Sequence, residues 1–407
     1  MLCQFSIKNY KSIREENTFD MQAASIAEHP ETLICDTDGQ KFLPVSAIYG
    51  PNGGGKSNVL EALQVLEAKV LRPIYASNNS VGYSLAKTTV SPYMFSEEDR
   101  NKPTEFEVFF RTKAAEYRYV LHVLREVVVY ESLDRIKKDT GRRSALFVRD
   151  SDGVHLKGVF AKLKISEDMS DTLPLLSYLG IMYLNNDVVK DVMDWFVTGI
   201  RFLNYGDPLE ELVTIMNQSV KSKNLIINMI REMDIDIVDF HIEEKDEERF
   251  EVYTTHVVDG YSHDLILNEE SSGTQKLFGL LPYIASSLIN GTTLVVDELD
   301  AKIHPALLRH IIEMYTNPEV NLHGAQLIFT SHDLSTMNSE VFRRDEIWFV
   351  AKGNQQNSNL YSLVEFKTGN GEIVRHDAKY DKQYLEGKYG ADPYLQRFVK
   401  WGEINAW

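Results

Sequence analysis

One octet constrains this chain more than any other feature: Gly50-Pro51-Asn52-Gly53-Gly54-Gly55-Lys56-Ser57 satisfies G-x-x-x-x-G-K-[ST]. Pro44 to Tyr49 just before it is a short apolar run with β-branched residues, the kind that lies buried in a sheet. Just after it, Val59, Leu60, Leu63, Leu66 and Val70 recur at helical spacing between Ser57 and Val70. Strand, glycine-rich turn and helix together make a phosphate-binding loop. The glycines let successive backbone N–H groups converge on phosphate oxygens, and the helix adds its positive N-terminal end. Lys56 then supplies a point charge to the β and γ phosphates, and Ser57 can ligate Mg²⁺. Chance gives such an octet in roughly one chain in a hundred at average residue usage, so a glycine turn without a ligand is the weaker reading.

A second motif extends the chemistry. Thr293 to Val296 is an apolar strand ending in Asp297-Glu298. Such strands are common alone, but downstream of a phosphate-binding loop this one reads as a hydrolytic acid pair. Asp297 would hold the magnesium through water, and Glu298 would orient or deprotonate the water that attacks the γ-phosphate. Pro305 opens a helix over Pro305 to Tyr315, and the apolar strand Gln326 to Thr330 ends at Ser331-His332-Asp333. Strand, helix and strand in this order predict a parallel sheet with ligand groups at the carboxyl ends of its strands.

Composition removes several other classes. With 43 Lys+Arg against 60 Asp+Glu the net charge is −17, which opposes nucleic-acid binding over the whole surface. Arg135 to Arg149, with Lys137, Lys138, Arg142 and Arg143, is a concentrated basic region that leaves a DNA or RNA contact open; the alternative is a solvated hairpin tip. Arg231 to Glu251 is its acidic counterpart. Cys3 and Cys35 belong to no metal-binding pattern and read as free thiols in a reducing cytosol. The longest apolar stretch, Leu277 to Ile289, is too short to span a bilayer and contains Pro282, and Met1 to Tyr10 lacks signal-peptide character. We therefore expect a cytoplasmic protein with no membrane partner. No G-x-S-x-G, HExxH or CxxC is present to start hydrolase or zinc chemistry.

Between the motifs the pattern changes. Leu2 to Ile7 and Asn17 to Met21 read as paired strands around a turn at Asn9 to Ser12. Glu105 to Phe110, Tyr117 to Leu124 and Glu126 to Leu133 alternate, and Leu173 to Val197 and Leu209 to Met233 read as helical.

The resemblance narrows at Glu270 to Lys276. Ser271-Ser272-Gly273-Thr274-Gln275 is similar to the (L)SGGQ signature of ABC-type ATPases. Leu299-Asp300 sits where that family's D-loop follows the acid pair, and His332 sits like its switch histidine. The opening Phe5 to Ile13 resembles the first hairpin of the SMC and RecF branch, where residues near Lys11 and Ser12 approach the nucleotide. The combination most resembles stand-alone bacterial ABC ATPases of abortive-infection and OLD-like phage-defence systems, over about 1–70 and 264–350.

This resemblance implies an α/β fold: an ABC-ATPase-like nucleotide-binding domain with a mostly parallel core sheet, an antiparallel β arm and a helical insertion. Residues 1–71 would be its N-terminal part, 72–263 the arm and insertion, and 264–407 its C-terminal part. ATP would contact Lys11, Ser12, Asn52, Gly53, Gly54, Gly55, Lys56, Ser57 and Asn58. It would also contact Ser271, Ser272, Gly273, Gln275 and Asp300, with the signature residues supplied by a second copy. Mg²⁺ would take Ser57 and Asp297, while Glu298 and His332 would serve catalysis. The implied activity is ATP hydrolysis by a sensor or scaffold in anti-phage defence. It would work as a homodimer or higher oligomer, answer a phage-derived trigger and control a separate effector such as a nuclease. The rival is a RecF-like DNA-repair ATPase, and a blander option is a nucleotide-binding module without turnover. Roughly 210 residues separate Ser57 from Ser271, too few for the long coiled coils of SMC proteins. The stretch after His332 is short for a nuclease domain, and Glu386 to Asp392 supplies no evident acidic metal site.

Overall fold

The computed structural model describes residues 1–77, 89–203, 220–233, 235–246, 249–367, 371 and 373–391. The expected helix over Leu209 to Met233 therefore lies partly outside them, as does Asp392.

Period-two stretches from the first residues and from 104–156 combine into one antiparallel sheet. Its strands are β1 (Leu2–Lys8), β2 (Asn17–Asp20), β6 (Thr104–Arg111), β7 (Glu116–Leu124), β8 (Val127–Ile136), β9 (Arg143–Asp150) and β10 (Gly153–Leu156). They lie in the order β10-β9-β8-β7-β6-β1-β2. The second sheet runs β11 (Ile200–Leu203), β15 (Thr293–Val296), β16 (Gln326–Thr330), β5 (Val45–Tyr49), β17 (Ile347–Lys352) and β18 (Ser358–Ser362). Its first five strands are parallel and only β18 is antiparallel. This is the α/β architecture with a mostly parallel core expected from the sequence.

Side-chain alternation in the parallel strands makes the layers. Val45, Ala47 and Tyr49 of β5, Leu294 and Val296 of β15, and Leu327 and Phe329 of β16 face one core. Ile48, Val295 and Ile328 face the other. The second core also takes Leu63, Leu66 and Val70 of α1 (Lys56–Ser77), which lies between the two sheets together with α2 (Leu175–Met182) and α3 (Asp187–Asp194). The first core is covered by α4 (Val220–Glu232), α5 (Ser272–Asn290), α6 (Pro305–Thr316) and α7 (Tyr380–Leu385). Gln326, fully buried, links the sheets: its amide donates to the carbonyls of Leu2 (3.0 Å) and Leu43 (3.2 Å), and its oxygen accepts from Leu2 N (2.8 Å). Two small sheets complete the fold, β3 (Ile34–Cys35) with β4 (Lys41–Phe42), and β12 (Asp239–Asp246), β13 (Arg249–Val258) and β14 (Tyr261–Ile266).

The antiparallel β arm expected from the middle of the chain is joined edge to edge with the first strands. β6 pairs with β1, with Ile7 opposite Phe106, so strands 104–156 continue the sheet that the first residues begin. The expected boundary after residue 71 falls inside α1, which runs on through Pro73 because Ile74 and Tyr75 still pack on the core. The boundary after 263 falls inside β14. Among the described residues no helix is long and apolar enough to cross a membrane.

Glu131 of β8 ties the helical layer to the antiparallel sheet. Its buried carboxylate accepts from the backbone N–H groups of Leu175 (2.6 Å) and Leu176 (2.8 Å) at the start of α2, and from Tyr119 Oη (2.9 Å). A carboxylate at a helix N-terminus satisfies orphan donors and the helix dipole together. Glu131→Ala leaves three buried donors unpaired and should destabilise the protein by about 2–4 kcal/mol in chemical unfolding; a loss below about 0.5 kcal/mol would show that the cap is dispensable.

Candidate nucleotide site

The phosphate-binding loop leaves the carboxyl end of β5 and enters α1, and a close fit holds it. Gly55 has φ +105°, and a Cβ there would lie 2.2 Å from Ser358 Oγ and 2.7 Å from Ser12 Oγ. Gly50 is tighter against the backbone: at φ +153° its Cβ would lie 2.5 Å from the carbonyl oxygen of Val350. Only glycine permits both approaches. Ser358 Oγ donates to the Gly54 carbonyl at 2.6 Å and lies 2.7 Å from Ser12 Oγ, and Asn58 Nδ2 donates to Ser12 Oγ at 2.7 Å. Ser12 thus stands against the loop, as its place in the first hairpin led us to expect. Lys11 is paired with Glu61 on α1, within reach of the same helix start. Asn52, Gly53 and Ser57 are exposed along the loop.

Lys56 is buried and folds over its own loop, donating to the carbonyls of Gly50 (3.0 Å) and Pro51 (3.3 Å). Burial pushes its ammonium below the usual lysine range, while the carboxylates of Asp297, Glu298 and Asp300 act in the opposite direction. The acid pair and the loop lysine therefore share one electrostatic site.

Asp297 and Glu298 follow β15, and the neighbouring β16 positions them. Thr330, the last residue of β16, donates its hydroxyl to Asp297 Oδ1 at 2.5 Å and accepts from Glu298 N at 2.7 Å. Glu298 has φ +50°, a left-handed conformation costing a non-glycine residue about 1–2 kcal/mol. Its carbonyl is held from the other side by Lys276 Nζ (2.9 Å), which also donates to the Leu299 carbonyl at 3.0 Å. Burial pushes the Lys276 ammonium down to about 8. Asp300 Oδ2 accepts from His332 N at 3.0 Å, while its buried Oδ1 has no partner among the described residues. The Glu298 and His332 side chains are exposed.

The signature segment begins α5. Ser271 caps the helix, its Oγ accepting from Thr274 N at 3.1 Å, and Ser271 and Ser272 face solvent. Gln275 turns its amide back to the carbonyls of Asn268 (3.0 Å) and Glu270 (2.8 Å), so its Nε2 braces its own loop. A cavity of about 350 Å³ separates this segment from the acid pair, lined by Ser272, Gln275, Lys276, Glu298, Ala301 and Lys302 among others. Ser358, Thr330 and Lys276 had no role in the sequence reading. Lys276 alone carried a signal, its place directly after the signature.

The residues fit ATP and Mg²⁺. The loop keeps its shape only because Gly50 and Gly55 lack a Cβ, which would collide with the Val350 carbonyl and with Ser358 and Ser12. The Ser57 hydroxyl and the Asp297 carboxylate are oxygen ligands of the kind suited to a hard cation that keeps several waters.

The basic region 135–149 is divided by the fold. Arg149 is buried and donates to the Leu173 carbonyl at 2.8 Å, Lys138 pairs with Asp36 at 2.9 Å, and Arg143 pairs with Asp134 at 2.5 Å. Lys137 and Arg142 are exposed at the hairpin tip.

Removing the Ser358 hydroxyl tests the support of the loop from the far end of the chain. Ser358→Ala deletes one hydrogen bond to Gly54, so nucleotide affinity should fall about three- to tenfold in a calorimetric titration. Unchanged affinity would mean that the loop holds its shape without β18.

Comparison with known proteins follows this geometry. Solved structures with a similar arrangement include the SMC head domain from Thermotoga maritima, at 15% identity and TM-score 0.42, with 89% of this chain and 98% of that chain covered. Another is the Smc head domain with an extended coiled coil bound to the C-terminal domain of ScpA derived from Pyrococcus furiosus, at 12% identity and TM-score 0.39, with 89% and 96% covered. No curated protein matches the sequence. Residues 45–338, which hold the phosphate-binding loop, the signature segment and the acid pair, match the family described as "AAA domain, putative AbiEii toxin, Type IV TA system", and the chain belongs to that family of AAA-type ATPase domains.

Proposed function

We propose that the chain is an ATP-hydrolysing sensor or scaffold of a bacterial anti-phage defence system, acting in the cytoplasm. In this reading it pairs with a second copy around ATP, answers a phage-derived trigger and controls a separate effector protein such as a nuclease. The observation that carries the ATP reading is that the phosphate-binding loop after β5 and the acid pair after β15 leave the same edge of the parallel sheet, on either side of β16. The family's description as a putative toxin of a type IV toxin–antitoxin system supports the defence reading.

Each residue then has a task. Backbone N–H groups of Asn52 to Lys56, with the positive end of α1, receive the phosphates, and Lys56 leaves the Gly50 carbonyl to meet them. Ser57 and, through water, Asp297 would hold Mg²⁺, which would supply neutralising charge to the phosphates. Ser12, Lys11 and Asn58 flank the rest of the nucleotide. Glu298 accepts a hydrogen bond from the attacking water and takes its proton, and His332, two residues beyond β16, is the second catalytic group.

Exposure supports the pairing reading. Among the described residues no hydrogen bond or ion pair joins the 271–275 segment to the 50–57 loop, and Ser271 and Ser272 face solvent. A helix start of this kind completes an anion cage for a nucleotide held by another copy. Ser271, Ser272, Gly273 and Gln275, with Asp300 nearby, would close the partner's site. The RecF-like alternative draws on the basic region 135–149, whose division by buried and paired residues gives it no continuous phosphate track.

Two substitutions separate binding from turnover. Lys56→Ala should abolish ATP binding, whereas Glu298→Gln should keep ATP bound and lower turnover by a factor of about 10² to 10⁴. Equilibrium binding and steady-state phosphate release check both, and near-normal turnover in Glu298→Gln would remove Glu298 from this role.

A further inference from the structure

The five residues between β14 and the first turn of α5 are anchored from two sides. From α5, Gln275 Nε2 reaches back to the Asn268 and Glu270 carbonyls. From β13 the anchor is a side-chain contact that the ATP chemistry does not use. Glu270 Oε1 lies 2.6 Å from Thr254 Oγ1 and 2.7 Å from His256 Nε2. Thr254 is fully buried and the Glu270 side chain is 11% exposed, so water competes weakly for these bonds. Glu270 directly precedes Ser271, whose hydroxyl sets the first turn of α5. The β12–β14 sheet that carries this anchor packs on α5 through Phe240 and Phe278, with ring centroids 5.4 Å apart. Beyond His256 its outer end exposes Val257, Val258 and Tyr261.

We infer that Glu270 and His256 are positioning residues for the signature segment, and that the three-stranded sheet sets how that segment is presented to the partner's nucleotide. The inference rests on the shared-site reading above. Its physical basis is that a helix start binds an anion only when its first N–H groups are aimed at it. Glu270 fixes that aim by a bond to a separate element, not by α5 itself. Movement of the β13 strand at His256 is transmitted through one carboxylate to Ser271.

The test compares Glu270→Ala, Glu270→Gln and His256→Ala, each added to Glu298→Gln so that bound ATP persists. ATP binding is read at protein concentrations below self-association, ATP-driven self-association by sedimentation, and folding by thermal midpoint. Glu270→Ala and His256→Ala should keep nucleotide affinity within about twofold, yet need about tenfold more protein to associate. Glu270→Gln, which keeps an oxygen acceptor for Thr254 and His256, should restore association. Three results would overturn the inference: association of Glu270→Ala at the parent concentration, failure of Glu270→Gln to rescue, or a parallel loss of affinity, association and thermal midpoint in both alanine variants. If the parent itself binds ATP without associating, the shared-site reading falls and takes this inference with it.

Discussion

Two parallel strand pairings hold the site together. β16 pairs with β15 on one side, Phe329 beside Val296, and with β5 on the other, Thr330 beside Ile48. All three strands are buried on both faces, so a one-residue slip would send each side chain into the opposite core, where it does not fit, and leave backbone groups without partners. With the register fixed, the chain leaves the sheet at one edge as the phosphate-binding loop, the acid pair and the Ser331-His332 segment. Thr330 links two of these, because its hydroxyl serves both Asp297 and Glu298 while its carbonyl accepts from Leu299 N at 3.1 Å.

The antiparallel sheet makes this edge rigid from behind. It covers α1, whose first turn is the floor of the loop, and supplies Ser12 from the turn after β1. The last strand of the parallel sheet closes the other side through Ser358. A loop that must present its backbone N–H groups to phosphate is thus fixed by hydroxyls from residues 12 and 358, and its own glycines allow those groups to come close.

The parts of the site that were legible in the sequence are those whose chemistry lies in one contiguous stretch. The octet 50–57, the strand with its acids and the cap at Ser271 each carry residue types that act on their immediate neighbours. Contacts between distant residues left no local trace. Ser358 meets Gly54 across 304 positions, and nothing in a serine on a short polar strand announces that. Alternation over 104–150 revealed strands but not their neighbours, since a period of two reports which face is buried and not against what. For that reason the antiparallel arm was legible, but not its continuity with the sheet started by β1. Charge patterning was incomplete in the same way at 135–149, where the positive run was visible but not the carbonyl of Leu173 or the carboxylate of Asp36 that hold two of its members.

The claim on which the account turns is that each ATP site is built by two chains, and mixing two inactive variants tests it most directly. Lys56→Ala disables the loop side. Gly273→Arg disables the signature side, where even a Cβ would lie 3.0 Å from the Lys302 carbonyl. Each pure variant should be inactive. In the mixed dimer one site has both defects, while the other joins an intact loop to an intact signature, so ATP turnover should return below the wild-type level. If mixed dimers form and bind one ATP yet release no phosphate, the two-chain site as described here is wrong.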